Sequence, residues 1–284
     1  MEDHAVLSIE KVIGYIEDHL DGKLDLERVA AAVGYSKYHL HRMFTATAGM
    51  TIHAYVQRRQ LTEAAKLLVF SSKPVIEVAL ICGYESQQAF SAVFKAMYKM
   101  PPAEYREKGV FYPLQLRFAL SSNAGKTEFT IENIRYAEKE DIPEWMDLMR
   151  MVIDGYPVMD EADYLEKLMS FIEEKRALVL RNGGVLIGVM AFSVQAGSIE
   201  FLGVHPQYRR RGVQKLFLDA LIGRYLPERE ISMTTFREGD RADTGHRELL
   251  KRLGFAEREL LVEFGYPTQR FVYTPKHEEA GRDD

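Results

Sequence analysis

Apolar residues recur at helical spacing through the first third of the chain and shift to strand-like alternation in its second half. Ile9, Val12, Ile13, Ile16 and Leu20 fall at i, i+3, i+4, i+7 and i+11, one face of a helix. Asp25 is suited to cap a helix over 26–33 that stops at Gly34. Ser36 opens another through Phe44, closed by Gly49, and a longer helix is expected over 52–69 with Leu61, Ala64, Ala65 and Leu68 inward. Ser71-Ser72-Lys73-Pro74 breaks it, with Pro74 placed for the first turn of the next helix. From 128 onward the pattern predicts a strand over 129–136, a helix over 141–153 with Trp145, Leu148, Met149 and Val152 inward, and a helix over 164–174. Strands over 177–180 and 185–194 are joined by Asn182-Gly183-Gly184, a hairpin signal. A strand over 198–204, an amphipathic helix carrying Val213, Leu216, Phe217, Ala220 and Leu221, a strand over 230–236, a helix over 245–253 and a strand region over 260–273 complete an α/β unit.

The helical third repeats itself. Val29-Ala30 followed by Gly34-Tyr35 returns as Val78-Ala79 followed by Gly83-Tyr84, and Phe44 returns as Phe94. Each copy is a short helix with small residues, a Gly-aromatic turn and a Ser-started helix ending in Phe. That is helix-turn-helix geometry, in which the second helix enters the major groove of DNA.

The 284 residues imply two domains, expected at 1–108 and 128–276, joined by a linker over 109–127 and followed by a charged tail over 277–284. The linker, GVFYPLQLRFALSSNAGKT, loses helical period and ends in a Ser/Asn/Gly cluster; Phe111, Tyr112, Leu114 and Leu116 are expected to pack on one domain. The single cysteine, Cys82, forbids an internal disulfide and reads as a small core residue. No run reaches the length of a spanning helix and the N-terminus has no signal-peptide core, so a cytoplasmic location without a membrane partner is expected.

A net charge of −5 argues against a nucleic-acid partner until it is divided by segment. Residues 36–108 carry ten Lys and Arg against five Asp and Glu, whereas 127–284 carry 22 against 29. The positive excess therefore coincides with the repeated helix-turn-helix units.

The segments SKYHLHRMF (36–44), AGMTIHAYVQRRQLTEAAKLL (48–68) and VIEVALICGYESQQAFSAVFKAMYKMPPAEYRE (75–107) resemble the DNA-binding domain of the AraC/XylS family, in particular its MarA, SoxS and Rob branch. GVFYPLQLRF is similar to the segment joining the two domains in Rob-type proteins. The resemblance implies a monomer that places two recognition helices in successive major grooves on one face of double-stranded DNA, with RNA polymerase as a further partner. On the first helix, Tyr38, His41 and Arg42 match positions directed at bases or sugar-phosphate. Arg42 is the residue best able to read guanine with two hydrogen bonds, and Lys37 is better placed for phosphate. On the second, Gln87 and Gln88 match base-facing positions and Lys95 a backbone contact. Ala92 stands where close relatives carry Arg, so a site preference cannot be copied from them, and Lys99 replaces a glycine common in the wider family. His39 and His41, at i and i+2, point apart on a helix and make no metal site.

A second constellation lies in FLGVHPQYRRRGVQK (201–215), a basic, Gly-containing turn between a strand and an amphipathic helix. Unpaired N–H groups and the positive end of the helix dipole make such a turn an anion site, suited to a pyrophosphate. Residues 129–275 resemble the GNAT acyltransferase fold: IRYAEKEDIPEWMDLM (134–149) is similar to its first strand and helix, FLGVHPQYRRRGVQKLF (201–217) to its acetyl-CoA motif, and ELLKRLGF (248–255) to its last helix. The resemblance implies that Arg209, Arg210, Arg211, Gly212, Val213, Gln214 and Lys215 cradle the pyrophosphate of acetyl-CoA or another acyl-CoA. Leu202 and Val204 would hold the pantetheine arm by their backbone. Gln214 stands where the family has a small residue. Leu250 occupies the position of the tyrosine that many members use as general acid, and a leucine cannot donate a proton. Glu200 is a weak candidate for a base acting through water; His246 and Tyr208 are conceivable substitutes without positional support. The expected architecture is therefore multidomain: an all-α double helix-turn-helix domain followed by a GNAT-like mixed α/β domain. The expected function is a DNA-binding transcriptional regulator whose second domain binds acyl-CoA, a small-molecule effector or an acyl acceptor. The alternative is a bifunctional regulator with an active N-acyltransferase. No metal is expected.

Overall fold

Helix capping follows the sequence closely in the N-terminal third. The computed structural model describes residues 2–120, 128–152, 160–263 and 265–275; the Ser/Asn/Gly end of the linker, Ile153 and the charged tail lie outside the described residues. α1 (Glu2–Glu17) is followed by α2 (Leu26–Val33), whose first turn is held by the Asp25 side chain accepting from the Arg28 amide. Ser36 caps α3 (Lys37–Ala48), and Thr51 caps the 19-residue α4 (Ile52–Phe70). α5 (Val75–Ile81) follows Pro74, Ser86 caps α6 (Gln87–Tyr98), and α7 (Pro102–Lys108) ends the domain. The repeat is structural. Gly34 and Gly83 both adopt left-handed backbone (φ 74° and 79°), and the next amide donates back into the preceding helix, Tyr35 to Ala30 and Tyr84 to Ala79, each at 3.0 Å. Phe44 and Phe94, the repeated ring, are both fully buried.

The two repeats have separate cores. Ile9, Val12, Leu40, Phe44, Ile52 and Tyr55 share one cluster, while Leu61, Ala64, Leu68, Phe90, Phe94 and Tyr105 share another. α4 passes from the first to the second. Cys82 is buried in the second core, where burial pushes its thiol up to about 12.

The C-terminal domain is a seven-stranded sheet with helices on both faces. Its strands are β1 (Ile134–Tyr136), β2 (Ala177–Asn182), β3 (Val185–Ser193), β4 (Ser198–Val204), β5 (Ile231–Phe236), β6 (Ala256–Glu263) and β7 (Tyr266–Tyr273), in the order β1-β2-β3-β4-β5-β7-β6. α8 (Ile142–Val152) and α9 (Glu161–Glu173) pack with Val179, Val189 and Ala191 on one face. α10 (Val213–Ala220) and α11 (His246–Arg252) pack with Leu178, Met190 and Phe271 on the other. β1 is shorter than expected because Thr130 and Asn133 form a capping box around a 3₁₀ turn over Ile131–Asn133. The expected single strand region at 260–273 is divided between two antiparallel strands, β6 and β7, paired through Glu263↔Tyr266.

The linker packs on more than one domain core, against expectation. Leu114 enters the second helical core, Phe118 and Leu120 the first, and Tyr112 the α8–α9 face of the sheet. Thr62 Oγ1 accepts from the amides of Leu114 and Gln115, both at 3.1 Å, which fixes this extended segment along α4.

Candidate functional site

Both recognition helices present bare N-terminal faces. Lys37, Tyr38, His41 and Arg42 are exposed on α3, and Gln87, Gln88 and Lys95 on α6. Tyr38 stands out most, 79% exposed in a helix whose Leu40 and Phe44 are fully buried. That placement brings every sequence-expected DNA residue onto the surface. Lys37 donates to Glu27 at 3.0 Å and holds that carboxyl below its ordinary range, an exposed pair that exchanges readily for phosphate. At about 1.5 Å per residue, α4 spans about 28 Å, close to the ~34 Å repeat between successive major grooves. Among the described residues no group of three or more His, Cys, Asp or Glu is placed to hold a metal ion.

The basic excess of 36–108 is thinner at this surface than the count suggests. Arg58 and Arg59 are buried, Arg58 donating to the Ala242 carbonyl at 2.5 Å and Arg59 clamped on Glu17. Lys99 turns inward to Asp240, and Arg106 donates to the carbonyls of Leu68 and Lys73.

The second site is an opening in the sheet. β4 and β5 run parallel but pair only at Ser198↔Ser232, near their starts, and then diverge. Their facing backbone edges beyond that pair are left to a cleft. A 380 Å³ pocket there is lined by Leu202 and Val204 of β4, Met233 of β5, Arg209, Arg210 and Gln214 at its mouth, and Leu249, Leu250 and Arg252 of α11. Chemically, such an opening offers strand edges that can bond an amide-bearing chain and, beside them, a helix N-terminus with two guanidinium side chains that can take an anion. The remaining expected cradle residues sit around it. Gly212 is the N-cap of α10, Val213 is fully buried beneath it, Arg211 lies over the Tyr208 ring, and Lys215 pairs with Asp219. Their contribution to an anion would come from backbone N–H groups rather than from these side chains.

A smaller 100 Å³ pocket adjoins the first through Val152, Leu202, Met233 and His246, and adds Glu200, Phe201, Thr234, Phe236, Tyr266 and Thr268. Glu200 is exposed in it and accepts from Ser198 Oγ at 2.5 Å. Tyr208 lines neither pocket: it is buried, and its hydroxyl accepts from the Asn182 amide at 2.9 Å. Leu250 is buried at the pocket wall. His246, by contrast, borders both pockets. Sequence reasoning gave it no position because the first residue of a predicted helix carries no signal of where that end points. Gly49 was missed entirely: it reads as a helix terminator and proves to line the larger pocket.

His205 ties the cradle to the linker. It is buried, its Nδ1 accepts from the Gln207 amide at 3.3 Å, and its Nε2 lies 3.1 Å from the Ala119 carbonyl. The amide at Nδ1 places the ring proton on Nε2, which donates to Ala119. Burial, helped by the Arg209 charge and opposed by the Ala119 bond, lowers its pKa from 6.5 to about 4. Between those values the unfolded side chain holds a proton and the folded one does not. Stability therefore falls as pH drops from 6.5 toward 4, by roughly 3 kcal/mol, and is unaffected by this group above 6.5. Urea midpoints measured across this window should decline in the natural protein and decline less in His205→Gln; parallel declines would rule out the assignment.

A family model described as a helix-turn-helix domain matches residues 29–108, and one described as the acetyltransferase (GNAT) family matches 143–255. The transcriptional regulator Rob of Salmonella typhimurium is 36% identical over 135 residues, covering 48% of this chain and 45% of Rob. The multiple antibiotic resistance protein MarA of the same organism is 39% identical over 100 residues, covering 35% of this chain and 79% of MarA. The chain thus spans less than half the length of the first of these relatives. A solved GNAT-family acetyltransferase from Bacillus cereus aligns with 51% of this chain and 98% of its own at 16% identity and a TM-score of 0.41.

Proposed function

The chain belongs to the AraC-type helix-turn-helix family and carries a GNAT domain, and on that basis we propose that it is a transcriptional regulator of double-stranded DNA whose GNAT domain binds acetyl-CoA or another acyl-CoA and thereby sets DNA affinity. α3 and α6 read two successive major grooves as a monomer, with Arg42 and Gln87 as the principal base contacts. The acyl-CoA lies between β4 and β5, its pyrophosphate at Arg209, Arg210 and the N-terminus of α10. The observation that carries the reading is the parting of β4 from β5 after a single pair, with two arginines at its mouth, on a chain that also bares two recognition helices.

A second reading, N-acyl transfer to an amine, is favoured by one observation. Of the four residues that line both pockets, Val152, Leu202, Met233 and His246, the histidine alone has a side chain able to carry a proton. One experiment separates the two. Thiol release from acetyl-CoA is followed with a panel of primary amines while thermal stability is recorded with and without acetyl-CoA. Stabilisation of about 2.7 kcal/mol at a hundredfold excess over Kd without turnover supports the regulator alone. Turnover lost in His246→Ala supports the enzyme, and neither binding nor turnover contradicts both.

A further inference from the structure

The C-terminal ends of the two recognition helices rest on opposite arms of the opened sheet. α3 is capped by Gly49, whose left-handed backbone (φ 73°) favours glycine and where a Cβ would lie 2.9 Å from Cδ of Arg209 and 3.4 Å from the Pro206 carbonyl oxygen, so the cap sits directly against this loop. Pro206 and Arg209 belong to the loop that continues β4. α6 ends at Lys99, which adopts left-handed backbone at φ 63°, a conformation that favours glycine. What holds a lysine there is its side chain. Its ammonium donates to the Ala96 carbonyl at 2.9 Å and to Asp240 Oδ1 at 2.5 Å, and it lies 5.5 Å and 5.6 Å from the ring centres of Phe236 and Tyr266. Asp240 and Phe236 belong to the end of β5 and its loop, and both rings line the smaller pocket. The Lys99–Asp240 pair is sheltered, with side chains 14% and 7% exposed, so it is a firm attachment rather than a surface pair. Arg58, donating to the Ala242 carbonyl, strengthens the same side.

β4 and β5 thus form two arms hinged at Ser198↔Ser232, with α3 seated on the end of one and α6 on the end of the other. The helical domain can follow such a movement, because its two halves have separate cores linked by α4. We propose that the opening between β4 and β5 sets the spacing of the two recognition helices, so that acyl-CoA occupancy and affinity for a two-groove DNA site are coupled through Gly49–Arg209 on one arm and Lys99–Asp240 on the other. This rests on reading the cleft as an acyl-CoA site and α3 and α6 as groove readers. A ligand seated between the strands fixes their divergence; DNA spanning two grooves fixes the helix spacing; each therefore selects among states of the other. By linkage, DNA changes acetyl-CoA affinity by the same factor as acetyl-CoA changes DNA affinity.

The test uses the full chain, acetyl-CoA and an operator fragment selected from a random library. Operator Kd is measured by fluorescence anisotropy with and without saturating acetyl-CoA, and acetyl-CoA Kd by calorimetry with and without operator. The expected coupling is about 5- to 150-fold, equal in both directions. Lys99→Gly, which keeps a residue at ease in the left-handed turn, and Asp240→Asn should each reduce the factor to about twofold or less while both separate affinities persist. Spin labels at Ala46→Cys and Ala92→Cys, both exposed, should report a change of helix separation on the order of 1–2 Å when acetyl-CoA is added. Independent affinities in the natural protein, or coupling that survives both substitutions, overturn the proposal. If the acetyl-CoA titration without DNA gives no binding, the cofactor reading itself fails, and the proposal falls with it.

Discussion

Arg42→Ala weakens binding to the selected operator by about 1–3 kcal/mol, Gln87→Ala by a similar amount, and the double variant by their sum, about 2–6 kcal/mol. Arg42 is exposed on α3 and, as a guanidinium, can donate two hydrogen bonds to a guanine edge; Gln87 opens α6 and can pair with adenine in the same two-point manner. The two positions lie in halves with separate cores, linked by a helix of 19 residues, which is the circumstance in which losses add. Anisotropy titrations at one fixed salt concentration test this, because phosphate contacts make every affinity salt-dependent. A double variant no weaker than Arg42→Ala alone would mean that α6 does not read bases. Ala92 makes that outcome a real alternative, since α6 presents no arginine and its specificity falls on two glutamines. The single substitutions should each relax preference at a different cluster of base pairs about one helical turn apart.

Much of this architecture was legible because it is written in local chemistry. Asp25, Ser36, Thr51 and Ser86 cap helices through their own side chains, and the Gly34 and Gly83 turns repeat one backbone conformation, so spacing alone located both recognition helices. The Gly183-Gly184 turn likewise announced the β2–β3 hairpin. Features set by partners distant in sequence were not legible. Phe111, Tyr112, Leu114 and Leu116 were expected to pack on one domain; the segment instead runs between the two domains, so that Tyr112 joins the α8–α9 face of the sheet, Leu114 the second helical core, and Phe118 and Leu120 the first. The separation of β4 from β5 left no mark either, because each strand has an ordinary apolar pattern and only their pairing reveals the opening. Arg209, Arg210 and Gln214 were singled out from the sequence and do line the larger pocket, but the wall supplied by Gly49 comes from the helical region, as does the Lys99 contact, and a helix terminator carries no information about what lies beyond it.

The charge count misled for the same reason, and its correction gives the second large expected effect. Arg59 belongs to the basic stretch but is a structural cation: its Nε and Nη2 donate to the two Glu17 oxygens at 2.8 and 2.6 Å, Nη2 to Glu63 at 3.1 Å, and Nη1 to the Gln115 carbonyl at 3.1 Å. Tyr55 donates to the same Glu17 carboxylate at 2.8 Å, and burial together with that charge raises its pKa. Burial alone would lower the Arg59 pKa, but Glu17 holds it above its ordinary value, so the guanidinium keeps its charge. The network joins α1, α4 and the linker at the base of the first repeat. Arg59→Met leaves Glu17 charged in a site where its side chain is 12% exposed, with Tyr55 as a remaining donor. Removing one member of such a pair costs about 3–5 kcal/mol, because the other keeps its desolvation cost without its partner. Urea unfolding should show that loss, and Glu17→Gln added to Arg59→Met should recover part of it by removing the stranded charge. Operator affinity of Arg59→Met, measured where it remains folded, should stay close to the natural value, since this arginine faces the core and not the groove. A large affinity loss with unchanged stability would instead return Arg59 to the DNA surface.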